Sequence, residues 1–234
     1  GTVTGNRISN VHNLSAGGTG AFGMQLGATP TTNILIANNF IWDIRANGSA
    51  TVTSNGHGIT INGAATAGGY KIYHNSVNMS VTQASGTTTA MFVSGPTVAG
   101  SVDVRNNIFA NTSGAGSTRY AVYSVAAATV YNPINYNDYF ATNVGSIAGT
   151  VHPTLAAWQA ATGQDANSVD VDPLFQSPTD LHLQSTSTLI NAGTTIAAVT
   201  NDFDGTTRPF GAAYDIGADE WIPSAVISGR LLTD

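Results

Sequence analysis

The chain of 234 residues contains no cysteine and very little charge. Without cysteine it has no disulfide framework, no thiolate zinc site and no cysteine nucleophile. Only 9% of its residues are charged, whereas about a quarter is usual in globular domains. No apolar run approaches the roughly 18 residues that a membrane helix needs, so we expect no membrane span in this segment. Neutral Asn, Thr, Ser and Gln side chains supply the polarity instead, as on a long β surface.

The few charges are unevenly placed along the chain. Residues 1–164 carry five basic and three acidic residues, a net charge of +2. Residues 165–234 carry two basic and ten acidic residues, a net charge of −8, which indicates two regions with different roles. No stretch forms a basic stripe, so nucleic acid is disfavoured as a partner. The chain opens in mid-pattern at Gly1, and we therefore expect it to be an excised or processed piece of a longer protein.

One short pattern recurs five times in the first 140 residues. It consists of an aliphatic residue, two spacers, an asparagine, one spacer and an apolar residue, as in residues 36–41. The asparagines are Asn6, Asn39, Asn75, Asn107 and Asn137. Their steps of 33, 36, 32 and 30 residues are typical of a stacked solenoid in which each repeat adds one rung.

A second aliphatic segment occurs in phase with the asparagines, at residues 23–26, 58–61, 90–93 and 121–124. With a third segment before each asparagine, every repeat has three short strands separated by Gly, Asn, Ser and Thr. This predicts an all-β fold, a parallel β-helix of about five coils over residues 1–150, and its right-handed sense is implied by the family resemblance given below. The turn-rich loops at 12–21, 45–57, 80–89 and 111–118 should then stack along one edge.

Residues 151–222 break the repeat and predict a C-terminal capping region. Within it, residues 153–163 indicate one short helix that has Thr154 as its N-cap and ends at Gly163. An open solenoid end exposes unpaired strand edges. We therefore expect this helix, anchored by Trp158, to cover that end, followed by an acidic C-terminal cap.

The order of motifs in this region resembles a large bacterial family, the secreted right-handed parallel β-helix repeat proteins with a choice-of-anchor-Q C-terminal module. The motifs are residues 154–164, 164–168, 172–175, 180–183, 187–193, 202–208 and 215–220. Thr188 and Asn191 depart from the proline and aspartate usual in that module. The resemblance implies an extracellular or cell-surface location in a bacterium. Residues 223–234 resemble a linker and the first strand of a carboxypeptidase-regulatory-like β-sandwich.

The rungs supply two kinds of candidate residue. The five aligned asparagines are expected to face inward at a bend and stack as a structural ladder, each amide bonding the next. Trp42, Tyr73 and His74 form a candidate ligand face, because exposed aromatic rings in a row are suited to sugars.

A carbohydrate-active enzyme of the pectate-lyase-like class, either a polysaccharide lyase or a glycosidase, is the alternative. Such enzymes bring carboxylates together on neighbouring coils. The coils contain three acids, Asp43, Asp103 and Asp138, which stand at different offsets from the rung asparagines. They are therefore expected on different faces, and no catalytic residue is assigned.

The acidic C-terminal run is a weak candidate for calcium. Asp202, Asp204, Asp215 and Asp219 could supply oxygen ligands, although the twelfth position counted from Asp202 is Ala213 and not the glutamate of an EF-hand. The favoured interpretation is that Arg208 pairs with acids of this run, while Asp202 and Asp204 hold turns. No other cofactor is expected.

The leading functional hypothesis is a non-catalytic module that serves adhesion, glycan contact or an extracellular structural assembly. Its expected partners are glycans or copies of itself. A purely mechanical spacer is a further alternative.

Overall fold

A computed structural model describes residues 1–27, 33–114 and 116–223 of the chain. The first coil contains β1 (Thr2–Thr4), β2 (Arg7–Ile8), β3 (Val11–Asn13) and β4 (Ala21–Leu26). The second contains β5 (Ile34–Ala37), β6 (Phe40–Trp42), β7 (Ile44–Ala46) and β8 (Gly56–Ile61), with a 3-10 turn at Val52–Ser54. The third contains β9 (Tyr70–Tyr73), β10 (Ser76–Met79) and β11 (Thr87–Val93).

The later elements complete the solenoid and leave it. The fourth coil contains β12 (Val102–Arg105), β13 (Ile108–Asn111) and β14 (Thr118–Ser124). A 3-10 turn (Ala128–Val130) leads to β15 (Tyr131–Asn135) and β16 (Asn143–Ile147) of the fifth. Then follow β17 (Thr150–His152), helix α1 (Leu155–Thr162), β18 (Phe175–Ser177) and β19 (Asp180–Leu183). The predicted linker and β-sandwich strand lie, apart from Pro223, outside the described residues.

Three parallel sheets form the walls of the solenoid. The first sheet has the order β1-β5-β9-β12-β15, the second β13-β10-β6-β2, and the third β17-β16-β14-β11-β8-β4. All neighbours in them pair in parallel except β16 with β17. The chain returns to the first sheet four times, so the predicted parallel β-helix is confirmed, with five rungs joined by about four full turns.

Columns of apolar side chains fill the interior. In the first sheet the paired residues are Val3, Ile36, Ile72, Val104 and Ile134. In the third sheet they are Met24, Ile59, Met91, Val122 and Gly145. Because every coil repeats the same inward positions, each buries its apolar surface only against its neighbours.

The five asparagines form the predicted ladder at the bend between the first and second sheets. The side-chain nitrogen Nδ2 of each donates to Oδ1 of the next, from Asn6 to Asn137, over 2.8, 2.8, 2.9 and 3.0 Å. The same Oδ1 also accepts the backbone N–H of the preceding ladder residue. Asn137 donates its backbone N–H to the Ser168 hydroxyl, which ends the ladder on a side chain beyond the last coil.

The residue before each ladder asparagine has a left-handed backbone. These residues are Gly5, Asn38, His74, Asn106 and Tyr136, with φ of 68°, 53°, 50°, 58° and 57°. A left-handed residue reverses the chain sharply, and this is why the asparagine that follows points inward while the strand direction changes. Two of the five are asparagines, which adopt this conformation more readily than most residues.

Helix α1 covers the C-terminal end of the coils, as predicted. Thr154 Oγ1 accepts the N–H of Ala157 at 3.3 Å, and Gly163 ends the helix in the left-handed conformation, with φ of 65°. Trp158 is fully buried. Its indole ring occupies the space where a side chain at Gly145 would stand, only 2.2 Å from an added Cβ. The ring therefore closes the column of the third sheet.

The acidic segment that follows lies along the flank of the coils. Here the term flank segment denotes residues 170–222. Its Leu181 and Ala218 pack on Phe40, and its Leu183, Leu189 and Ile216 pack on Ile108 and Ala110. The predicted capping region thus covers two surfaces, the end through its helix and the side of the coils through the flank segment.

We predict that Asn75→Ala lowers the free energy of unfolding by about 3 kcal/mol, because it removes the acceptor of the buried Asn39 backbone N–H together with the side-chain bonds that Asn75 makes to both neighbouring ladder residues. Urea unfolding measures the change. The matched variant Asn6→Ala removes a solvent-exposed ladder residue and should cost much less. Equal losses in the two variants would contradict the structural role of the interior ladder.

Candidate functional site

A row of aromatic rings lies on the outer face of the third sheet. Phe22 stacks on His57 with centroids 5.7 Å apart, and His57 stacks on Phe92 at 4.5 Å. Tyr123 continues the row at 5.9 Å from Phe92. The middle rings are buried, whereas Phe22 and Tyr123 are half-buried. The row therefore crosses four coils and offers ring surface at its two ends.

A small groove lies beside this row. Its lining residues are Phe22, Gln25, Thr53, Thr60, Asn62, Phe92 and Ser94, and its volume is about 170 Å³. The polar side chains around it are neutral amides and hydroxyls. Asn62 Oδ1 is 3.4 Å from both Gln25 Nε2 and Ser94 Oγ, so these groups are held in one loose network.

The Thr60 hydroxyl in this groove has no hydrogen-bond partner within the described residues. Thr60 is only 1% exposed and lines the groove. A buried hydroxyl without a partner costs about 1–3 kcal/mol. A water molecule or the hydroxyl of a ligand in the groove would supply the missing bond.

His57, at the centre of the row, is uncharged. Burial lowers the pKa of His57 to about 4, against a smaller opposite effect of its bond to the Val52 carbonyl. Nε2 donates to that carbonyl at 2.9 Å, so Nδ1 is left to accept the Thr89 hydroxyl at 2.8 Å. The stack of rings is therefore neutral at physiological pH.

This surface is absent from the sequence-based predictions, although the sequence contains a signal for it. In a strand, neighbouring residues face opposite sides. The inward column of Met24, Ile59 and Met91 therefore places the residues that follow on the outer face, in the series Gln25, Thr60, Phe92, Tyr123 and Ser146. Reading one position beyond each aliphatic residue would have found this series.

The predicted ligand face is wrong, because the flank segment covers it. Tyr73 is 3% exposed and packs on Ile196 and Val199, and its hydroxyl donates to Asp103 at 2.6 Å. Burial, together with that bond, raises the pKa of Tyr73 to about 12. His74 is fully buried, with Nδ1 donating to the Gly217 carbonyl. Trp42 is half-buried against the apolar cluster of Phe40 and Leu181.

The four acids proposed for calcium do not converge as a set. Asp202 accepts the N–H groups of Asp204 and Thr206 at 2.9 and 2.7 Å, which is the turn-holding role favoured for it. Asp215 accepts two backbone N–H groups, those of Asn191 and Trp221. Burial raises the pKa of Asp215 to about 7. Both carboxylates thus organise backbone within the flank segment.

Arg208 pairs with one acid of the run, as favoured, and that acid is Glu220. Nη1 of Arg208 donates to Glu220 Oε1 at 2.5 Å, and both side chains are fully buried. Nη2 donates to the Gly217 carbonyl at 3.0 Å and to Asn38 Oδ1 at 3.3 Å. The bond from Nη2 to Asn38 therefore attaches the flank segment to a left-handed bend residue of the second coil.

The other two acids meet a histidine that the sequence analysis did not single out. His182 Nε2 lies 2.8 Å from Asp204 Oδ2, and its Nδ1 bonds Asp180. One ligand atom from each of His182, Asp204 and Asp219 lies within 4.8 Å of the others, which is the arrangement of a small metal-binding cluster. The Asp204 carboxylate thus bonds His182 and does not hold the turn that was predicted for it.

The three acids of the coils are each engaged in separate local contacts. Asp43 bonds His12 at 2.7 Å on the surface, and Asp103 pairs with Arg105 at 2.7 Å. Asp138 is fully buried and accepts the N–H of Val171, and its burial raises its pKa well above the usual range. These contacts give the three carboxylates no common partner.

A larger groove of about 410 Å³ lies between the second sheet and β18. The amide groups along it are already used inside the protein. Asn78 Nδ2 donates to the Pro178 carbonyl, Gln176 Nε2 to that of Leu183, and Gln184 Nε2 to that of Phe175. The groove on the third sheet is therefore the better candidate, since its Thr60 hydroxyl is unpaired.

Comparison with protein-family models, with curated proteins and with solved structures gives no match. The structure itself defines the class, a parallel β-solenoid with one α-helix among its described residues. Within that same part of the chain, no helix has the length and apolarity needed to cross a membrane.

We predict that the destabilisation caused by His57→Phe shrinks as the pH falls. The pKa of His57 is depressed from 6.5 when unfolded to about 4 when folded, so its contribution is complete above pH 6.5 and is lost as the pH falls through 4. The free-energy difference between the parent and the variant should shrink by on the order of 3 kcal/mol between pH 7 and pH 4. Urea unfolding at a series of pH values measures it, and a constant difference would contradict burial of a neutral imidazole.

Proposed function

We propose that this protein is a non-catalytic β-helix module that contacts neutral glycans, and that it does so on the extracellular side of a bacterial cell surface. The unpaired Thr60 hydroxyl in a groove walled by Phe22 and Phe92 carries the proposal. Sugar rings present apolar C–H faces and hydroxyl groups together. The groove offers ring surface and neutral hydrogen-bonding groups in the same small space.

The charge and the rigidity of the coils support a neutral ligand. Among the residues that the structure describes, none that lines the groove is charged. Its residues lie in strands β4, β8 and β11, directly after β8 and β11, or in the turn at Val52–Ser54, and the strands are held in register by the columns and the ladder. A rigid site loses little conformational entropy when a ligand binds. The bacterial, extracellular setting rests on the resemblance of residues 154–220 to the choice-of-anchor-Q module.

We predict that Thr60→Val weakens binding to a neutral oligosaccharide at least about tenfold, because it removes one hydrogen bond worth about 1.4 kcal/mol. The same change should leave the free energy of unfolding unchanged or slightly higher, because the hydroxyl it deletes is unpaired in the protein. A glycan array identifies the oligosaccharide, and titration calorimetry measures both affinities.

Ser146→Ala is the matched control for this experiment. Ser146 belongs to the same outward series and also has a buried, unpaired hydroxyl, but it lies outside the groove. It should bind as the parent does. Equal affinities of Thr60→Val and the parent would overturn the site, and release of unsaturated or newly reducing sugars would favour a lyase or a glycosidase.

A further inference from the structure

His182, Asp204 and Asp219 come from three separate parts of the flank segment. His182 lies in β19, Asp204 in the turn built by Asp202, and Asp219 directly before the buried Glu220. Their ligand atoms nevertheless approach within 4.8 Å of one another. The three side chains face a cavity of about 270 Å³.

Asp219 has a free oxygen that faces this cavity. The residue is only 6% exposed, and its Oδ2 accepts the N–H of Leu183 at 2.9 Å. Its Oδ1 makes no hydrogen bond within the described residues. This oxygen, at the cavity wall, can accept a cation or a further donor. The buried cation nearby in sequence, Arg208, is already paired with Glu220.

The imidazole of His182 is oriented as a metal ligand is. Its Nδ1 is held by Asp180, which directs Nε2 toward Asp204 and the cavity. A carboxylate on the far nitrogen is the usual way in which proteins orient a histidine that binds a metal. The cluster therefore has a nitrogen ligand, two oxygen ligands and an orienting carboxylate.

We propose that His182, Asp204 and Asp219 bind a divalent transition metal of the zinc class, with a fourth position open toward the cavity. Calcium is disfavoured because its ligands are oxygens, whereas this set includes an imidazole nitrogen. The ion replaces the proton shared by His182 Nε2 and Asp204 Oδ2, which are 2.8 Å apart.

The cluster must contract around the ion to bind it. Zinc bonds to nitrogen and oxygen are about 2.0–2.2 Å, which places neighbouring ligand atoms about 3.4 Å apart in a tetrahedron. The 2.8 Å contact must therefore open by about half an ångström, and separations of up to 4.8 Å must close by up to about 1.4 Å. Asp204 can supply this movement, because its side chain is 52% exposed at a turn. A bound ion then fastens β19, that turn and the segment before Glu220 to one another.

Titration of the metal-stripped protein with zinc chloride in a calorimeter tests the proposal. We expect one equivalent to bind, and the melting temperature to rise by about 5–10 °C at a zinc concentration a hundredfold above Kd. Cobalt chloride should give the visible absorption of a four-coordinate ion. His182→Gln and Asp219→Asn should each weaken zinc binding at least about tenfold.

His12→Gln is the matched control, because His12 also bonds an aspartate at 2.7 Å on the surface, but in a pair and not in the three-residue cluster. It should bind zinc as the parent does. Absence of zinc binding, equal affinities in all variants, or stabilisation by calcium chloride and not by zinc would overturn the proposal. If circular dichroism shows that Asp219→Asn does not fold, His182→Gln and the half-exposed Asp204→Asn decide the question.

Discussion

The hydrogen bond from one asparagine side chain to the next determines how each coil lies on its neighbour. Each of the three interior ladder amides donates to the following side chain and to backbone carbonyls of its own and the preceding coil, as Asn75 does to Tyr73 and Ile36. A shift of one coil by a single residue would break all of these bonds at once. It would also turn the apolar columns outward, since neighbouring strand residues face opposite sides. Ladder and columns therefore enforce the same register.

The other surfaces follow from that register. Outward residues of β4, β8, β11 and β14 line up because their inward neighbours do, and this alignment builds the ring row and the groove beside it. On the opposite wall, the left-handed bend residues Asn38, His74 and Asn106 line up in the same way. They offer polar groups to the flank segment, as when Asn106 bonds both the N–H and the carbonyl of Thr194. The scaffold thus sets both the open face and the covered one.

The coils and the helix could be predicted because their signals are local. The role of each signal can be recognised from a few neighbouring residues. These signals are the asparagine at a fixed step, the aliphatic residue at a fixed offset, and Thr154 and Gly163 at the ends of the helix. The flank segment could not be placed in this way. Its position depends on contacts between residues far apart in the sequence, such as Arg208 and Asn38, which are 170 residues apart. The burial of Tyr73 is likewise not indicated by the residues near it in the sequence. The candidate ligand face was wrong for that reason.

The two candidate sites also contain features that the local sequence predicts and features that depend on long-range contacts. The outer series that contains Thr60 follows from strand alternation, but the absence of a partner for its hydroxyl depends on everything packed around it. The approach of His182 to Asp204 and Asp219 depends on how three turns of the flank segment fold together. Repeats carry their pattern in the sequence, whereas a segment that occurs once is positioned by long-range contacts.

The flank segment also fixes the spacing between two of the coils. It contacts Phe40 in the second coil and Ile108 in the fourth, and Asn38 and Asn106 at the bends of the same two coils. Ladder and columns alone would accept any number of coils, because every interface repeats the one before it. A segment of fixed length that touches both coils accepts only one spacing between them. The part of the chain that contains no repeat therefore fixes how many coils separate Phe40 from Ile108.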